Sequence, residues 1–180
     1  VEALTEVFAE VRRVLKADGT LWLNLGDTYS AGCMTGKQGT NGITGNRAQN
    51  TTPLPPRKTA GWRDKNLLGI PWRVAMSLQS EGWNLRQDII WSKPNPMPES
   101  VTDRCTSAHE YIFLCSKSQR YYYDAEAIRT PSANRKPVWE QSVHPLAGAP
   151  FATFPPDLIK PSHMAGTKPG DVVLDPFGGS

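Results

Sequence analysis

The sequence has little of what would settle a function at once. Cysteine is scarce, with three residues in 180. Cys33, Cys105 and Cys115 are odd in number and form no CxxC pair or Cys/His metal spacing, so neither a disulfide framework nor a structural zinc is suggested; reduced cysteines in packing roles are expected. His109, His144 and His163 have no partner at i, i+4, so no metal is expected. No apolar run reaches the ~18 to 20 residues of a membrane span, and Val1-Glu2-Ala3 does not open a signal peptide, so a cytoplasmic address and no membrane partner are expected. An excess of charge of one sign is small: Lys+Arg 20 against Asp+Glu 17 gives +3, a weak sign of a nucleic-acid partner by itself. The Walker phosphate loop fails for want of its Lys-Ser/Thr.

What the chain does have is a composition fit for one domain. Hydrophobic residues are 38% and charged residues 21%, enough for a core and far from a disordered chain. Gly 15 and Pro 16 point to many loops, where function concentrates. Leu4, Val7, Phe8, Val11, Val14 and Leu15 recur at helical spacing, and Leu21 to Leu25 follows Gly19 as a short buried strand. Residues 30–64 are rich in Gly, Asn, Thr and Pro and read as a loop-rich insertion. A helix is predicted from Leu67 to Glu81-Gly82, with Pro71 in its first turn. Strands are predicted at Leu85–Trp91, Glu110–Cys115 and Asp171–Leu174, the last buried. Alternating strands and helices give an α/β chain with a parallel or mixed sheet. It starts inside a helix and stops inside a strand-turn-helix unit, so it reads as a piece of a longer polypeptide. The basic excess falls between residues 57 and 104, with eight basic against five acidic.

Two segments could carry chemistry. The strand ending at Asp175 turns through Gly178-Gly179, where backbone can approach a ligand closely, a shape suited to a nucleotide-like cofactor and equally to an ordinary turn. The stretch Trp91-Ser92-Lys93-Pro94-Asn95-Pro96-Met97-Pro98-Glu99-Ser100, followed by Asp103-Arg104 and Ser107-Ala108-His109-Glu110, offers a stacking face, hydrogen-bonding groups and charge on a proline-stiffened loop. Pockets for an extruded base combine such groups; for Trp91 taken alone, a core position is the better reading.

In order along nearly the whole chain, these segments resemble the amino-methylating DNA methyltransferases, the N4-cytosine and N6-adenine family, in the permuted arrangement with the catalytic half before the cofactor half. The resemblance is carried by Arg13-Val14-Leu15 with Asp18-Gly19, Leu21 to Tyr29, Leu68-Gly69-Ile70-Pro71-Trp72-Arg73, Asp88 to Asn95, His109-Glu110-Tyr111, Phe151 to Pro155 and Asp175 to Ser180. It implies a Rossmann-like S-adenosylmethionine-dependent methyltransferase fold, incomplete at both ends, within a partial DNA methylase domain over 1–180. The implied reaction moves a methyl group from S-adenosylmethionine to an exocyclic amine of double-stranded DNA, with a restriction nuclease as a candidate partner. Asp175, Phe177, Gly178 and Ser180 match the cofactor motif, and Phe154-Pro155 the element closing over the methionine end. Asp27 is placed near cofactor or target, with a plain turn carboxylate as the competing reading. Asn24, Trp91, Lys93 and Asn95, together with Arg104, fall on the target-base and DNA side. Residues 124–150, with Arg129, Arg135, Lys136 and Trp139, are the candidate recognition stretch, and the insertion at 30–64 is the other candidate.

One departure qualifies the match. The family's reaction uses Asp, Asn or Ser before Pro-Pro-aromatic to hold the target amine, and neither Leu54-Pro55-Pro56-Arg57 nor Phe154-Pro155-Pro156-Asp157 fits. In the permuted order the motif lies upstream of the first helix, so the 180 residues alone are expected to be inactive. Methylation at cytosine C5 is disfavoured because it needs a thiolate nucleophile and no cysteine here follows proline. The competing readings are a DNA-binding relative that lost the chemistry, for which the upstream motif is the discriminator, and a small-molecule methyltransferase of similar fold.

Overall fold

The computed structural model describes residues 1–30, 61–143 and 155–178. Contacts divide the chain into two units, residues 27–69 and the remainder. The larger unit contains helix α1 (Glu2–Val14), strand β1 (Thr20–Leu25), helix α2 (Ile70–Ser80), strands β2 (Asn84–Ser92) and β3 (His109–Ser116), a 3-10 turn at Glu126–Ile128, strand β4 (Val138–Glu140) and helix α3 (Pro156–Gly166). The sheet order is β1-β3-β2-β4. Strands β1 and β2 both run antiparallel to β3, whereas β4 is parallel to β2, so the sheet is mixed.

Alternation along the strands sends side chains to two covered faces. On one, Leu23, Phe113 and Cys115 join Phe8 of α1 and Val74, Ala75 and Leu78 of α2. On the other, Ile89, Trp91 and Ile112 join Trp139 of β4 and Leu158 of α3. The register of β2 against β3 shifts between Leu85 and Gln87; a bulge of this kind re-aims the rest of its strand.

Element ends follow local chemistry. Helix α1 closes without a glycine in its last turn, and Lys117 Nζ donates to Leu15 O at 2.5 Å, supplying the cation that helix carboxyl ends favour. Helix α2 closes in a Schellman motif: Gly82, at φ +87, donates to Gln79 O, and Trp83 donates to Leu78 O. Any other residue at position 82 must adopt a left-handed backbone, so Gly82→Ala is expected to cost about 1–2 kcal/mol, read as a lower urea midpoint at unchanged m.

Two sequence expectations change here. Asp171–Leu174 is no buried strand: Val172 is 91% exposed, and Val173 and Leu174 are exposed as well. An apolar run becomes a strand only when a neighbour accepts its ladder, and among the described residues none does. Its start is fixed by charge, with Asp171 bonded to Lys16 at 2.6 Å and to the Lys168 amide; these partners hold the Asp171 carboxyl below the usual carboxylate range. Helix α3 was not anticipated. Pro156 suits its first turn, but Pro161 lies inside it and removes one helical donor, and burial of Leu158, Pro161 and Ala165 offsets that loss.

In the smaller unit the ends of the predicted insertion pair with each other. Tyr29 bridges Leu67 in antiparallel fashion. Ser30 exchanges backbone bonds with Asn66 and Lys65, while its hydroxyl donates to Arg63 O and accepts from the Asn66 amide. Residues 31–60, the bulk of that insertion, lie outside the described residues.

Candidate active site at the strand ends

Because β3 runs against its two neighbours, the carboxyl ends of β1 and β2 meet its amino end: Leu25 is level with Tyr111, Trp91 with Glu110 and Ser92 with His109. In open α/β sheets ligands bind outside the carboxyl ends of strands. Asn24, Glu110 and Trp91 share one sheet face there. Asn24 Nδ2 donates to Tyr111 O at 3.1 Å. Lys93, just beyond β2, donates to Glu110 Oε1, and its ammonium lies 4.3 Å from the Trp91 ring centroid. The Lys93 and Glu110 side chains are only 19% and 24% exposed. A Cβ at Gly26 would stand 3.4 Å from Glu110 Cδ, so the carboxylate uses the space that a side chain would take.

This geometry gives Trp91 the core position that was the better reading of it taken alone. Trp91 is 3% exposed, packs in the second core cluster, donates its indole N–H to Gln141 O and carries Lys93 over its ring. Asn95 is a stitch: its side-chain amide donates to Val143 O and accepts from Val143 N, both at 2.9 Å. Trp139, placed in the candidate recognition stretch, is core; Arg135 lies 4.9 Å from its ring centroid, and Arg129 pairs with Glu126. Positions 144–150 of that stretch lie outside the described residues.

Arg104 closes the loop between β2 and β3. It donates to both Glu99 oxygens, at 2.7 and 3.3 Å, while Glu99 also accepts the Ser107 amide. The Arg104 bond and then the Ser107 bond hold the Glu99 carboxyl below the usual carboxylate range. A group lowered in this way contributes stability above its unfolded pKa, and the contribution is lost as pH falls through the folded value. We expect the Ser107 amide to lose hydrogen-exchange protection on acidification below the ordinary carboxylate range, while amides in β3 keep theirs. Equal protection of Ser107 across that window would show the clasp to be inert.

The cofactor candidates form a second group. Asp175 Oδ1 accepts the Phe177 amide at 2.9 Å, which sets the turn through Gly178. The Phe177 ring, half exposed, meets buried Phe8 edge-on at 6.0 Å. Pro155 is the buried residue at the N-cap of α3. Asp27 Oδ1 accepts the Thr28 amide, the local bond of a turn carboxylate. Phe154, Gly179 and Ser180 lie outside the described residues. Among the described residues no group of three His, Cys, Asp or Glu could hold a metal, and no helix is long and apolar enough to cross a membrane.

With the geometry in view, comparison with known proteins decides the family: a family model described as DNA methylase (N6_N4_Mtase) matches residues 1–180. The chain belongs to the DNA methylase family. It is 50% identical over 182 residues to Type II methyltransferase M.XycI of Xanthomonas campestris pv. cyanopsidis and to M.Cfr9I of Citrobacter freundii, covering 98% of this chain and 59% of each relative. It is 47% identical to M.SmaI of Serratia marcescens, covering all of this chain and 63% of that protein. The chain therefore spans about three fifths of the length of these relatives. The fold matches PvuII DNA methyltransferase (cytosine-N4-specific), with TM-score 0.64, 17% identity and coverage of 93% of this chain and 56% of that one. It also matches the M1.HpyAVI–SAM complex, with TM-score 0.58, 15% identity and coverage of 97% and 65%. These likenesses establish the Rossmann-like α/β methyltransferase fold.

Glu110 was legible only as one residue of the charged stretch that ends the candidate base-pocket segment, with no role of its own. Its signal was the charge inside the apolar run His109–Cys115, but its partner Lys93 is 17 positions away and only the strand register brings them together. The cysteines also divide. Burial pushes the Cys115 thiol up to about 12, whereas Cys105 is exposed, so the expected packing role holds for Cys115 and fails for Cys105. Cys33 lies outside the described residues. Brief iodoacetamide treatment near pH 8 is expected to label the Cys105 peptide and to leave the Cys115 peptide unlabelled until the chain is unfolded, as read by mass spectrometry.

Proposed function

We propose that the complete gene product carrying this chain transfers a methyl group from S-adenosylmethionine to N4 of cytosine or N6 of adenine at specific sites in double-stranded DNA. The observation that carries this reading is the DNA methylase match over all 180 residues, supported by relatives of about 50% identity named Type II methyltransferases. The Asp175–Gly178 turn fits a nucleoside-containing cofactor: Gly178 carries no side chain to hold a ligand off its backbone, the half-exposed Phe177 ring offers a stacking surface, and the carboxylate fixes the turn. Bound S-adenosylmethionine supplies the electrophilic methyl group. The chain's own contribution is to orient the cofactor through this turn and to bound the target side through Asn24, Lys93 and Asn95. Phe154-Pro155 and Ser180 complete the cofactor side in this reading, and Asp27 follows β1 as a further candidate there.

The Asp/Asn/Ser-Pro-Pro-aromatic motif that holds the target amine is not among the 180 residues. We assign it to the part of the relatives' length outside the match. Residues 124–150 are the proposed recognition stretch, a cognate nuclease the proposed partner and the cytoplasm the proposed location. Tritiated S-adenosylmethionine incubated with DNA and the complete product is expected to give labelled N4-methylcytosine or N6-methyladenine after nucleoside digestion. Label confined to protein or small molecules would overturn the reading.

A further inference from the structure

Lysine near DNA ordinarily serves as a mobile point charge for phosphate. Lys93 does not have that freedom. Its side chain is four-fifths covered, its ammonium rests over Trp91 at 4.3 Å, and one of its three N–H groups goes to Glu110. Both supports are themselves fixed. Trp91 is locked in the core with its indole N–H on Gln141 O, and Glu110 sits in β3 level with Trp91, in the space left by Gly26. A largely covered ion pair is close to neutral as a unit, and losing one partner leaves an uncompensated charge. The arrangement fixes a donor at the end of the sheet and withdraws its charge from the field that attracts phosphate.

We propose that Glu110 is a positioning residue that holds Lys93 over Trp91 as a fixed hydrogen-bond donor for a nucleobase bearing ring acceptors beside its exocyclic amine, and keeps Lys93 from acting as a phosphate anchor. This rests on the DNA methyltransferase reading above. Asn24, bonded to Tyr111 O on the same sheet face, borders the same end. The Trp91 ring then serves beneath the pair as its floor.

Salt dependence separates donor from anchor, because each phosphate neutralised contributes about 0.9 to the slope of log K against log salt on duplex DNA. The complete product, with Lys93→Met, Glu110→Gln and the double variant, is compared at a temperature where circular dichroism shows all four folded. Lys93→Met is expected to leave the slope unchanged and lower kcat about 10- to 100-fold, the range for losing a charged hydrogen bond. Glu110→Gln is expected to free the ammonium, steepen the slope by about 0.9, tighten binding at low salt and still lower kcat. The double variant is expected to return to the wild-type slope without recovering turnover.

A Lys93→Met slope shallower by about 0.9 would make Lys93 an anchor and overturn the assignment. So would kcat and KM at wild-type values in both single variants, which would leave the pair a merely structural one. A wild-type product that neither binds DNA nor transfers methyl groups overturns the function reading, and this assignment with it. DNA methylation by the wild type together with a shifted Lys93→Met slope overturns only the assignment.

Discussion

Phe113→Ala is expected to destabilise the protein by about 3–5 kcal/mol, the range for truncating a buried aromatic residue. Phe113 is fully buried in the central strand β3. Trp72 of α2 meets its ring edge-on at 5.1 Å, Tyr111 stacks at 5.8 Å, and Leu23 of β1 is its register partner. Removing the ring takes apolar area from the core and leaves a cavity that these neighbours can close only by leaving their own rotamers and the sheet register. Against a typical stability of about 5–15 kcal/mol, a loss of that size removes much of the total. Urea unfolding is expected to show a lower midpoint at unchanged m. Val172→Ala, at an exposed position, is the control and is expected to stay within about 0.5 kcal/mol. Similar losses in the two variants would mean that Phe113 is not packed as described.

The contrast between Phe113 and Val172 also shows what a sequence can reveal. Leu4, Phe8 and Val11 recur at helical spacing, as do Val74 and Leu78, and β1, β2 and β3 read as apolar runs between turn residues, so α1, α2 and three strands were legible. Periodicity identifies an element and its buried face, but it says nothing of whether a neighbour is present. Val172-Val173-Leu174 reads as a strand for that reason and remains unladdered among the described residues. Helix α3 was hidden by Pro155, Pro156 and Pro161, because a proline inside a periodic pattern argues against a helix unless burial offsets it. Strand β4 is three residues long and follows Pro137, too short to show alternation. At the site, residue types were legible and roles were less so. A core place for Trp91 was legible from the residue taken alone, its bond to Gln141 O was not, and Glu110, one residue of a charged stretch in sequence, gained a partner only once the β2–β3 register set it beside Lys93.

The cofactor turn is where residue type and role are easiest to confuse, and a pair of substitutions at Asp175 separates them. Asp175 Oδ1 accepts the Phe177 amide, so one carboxylate oxygen is committed to shaping the turn. Asparagine can make the same bond with its amide oxygen and carries no charge, whereas alanine can make none. In the complete product, Asp175→Ala is expected to weaken S-adenosylmethionine binding about 10- to 100-fold, the effect of losing a charge-assisted hydrogen bond at the site. The turn also loses the bond that aligns Phe177, whose ring leans on Phe8 at 6.0 Å. Asp175→Asn is expected to stay within about threefold of wild type if shaping the turn is the whole of its role, because the Phe177 amide keeps its acceptor. Isothermal titration with S-adenosylmethionine reads both. If asparagine falls as far as alanine, the charge itself meets the cofactor, and Asp175 becomes a ligand-contacting residue as well as a turn former. If both variants bind as wild type does, the cofactor does not sit on this turn, and its assignment to Asp175, Phe177 and Gly178 is wrong.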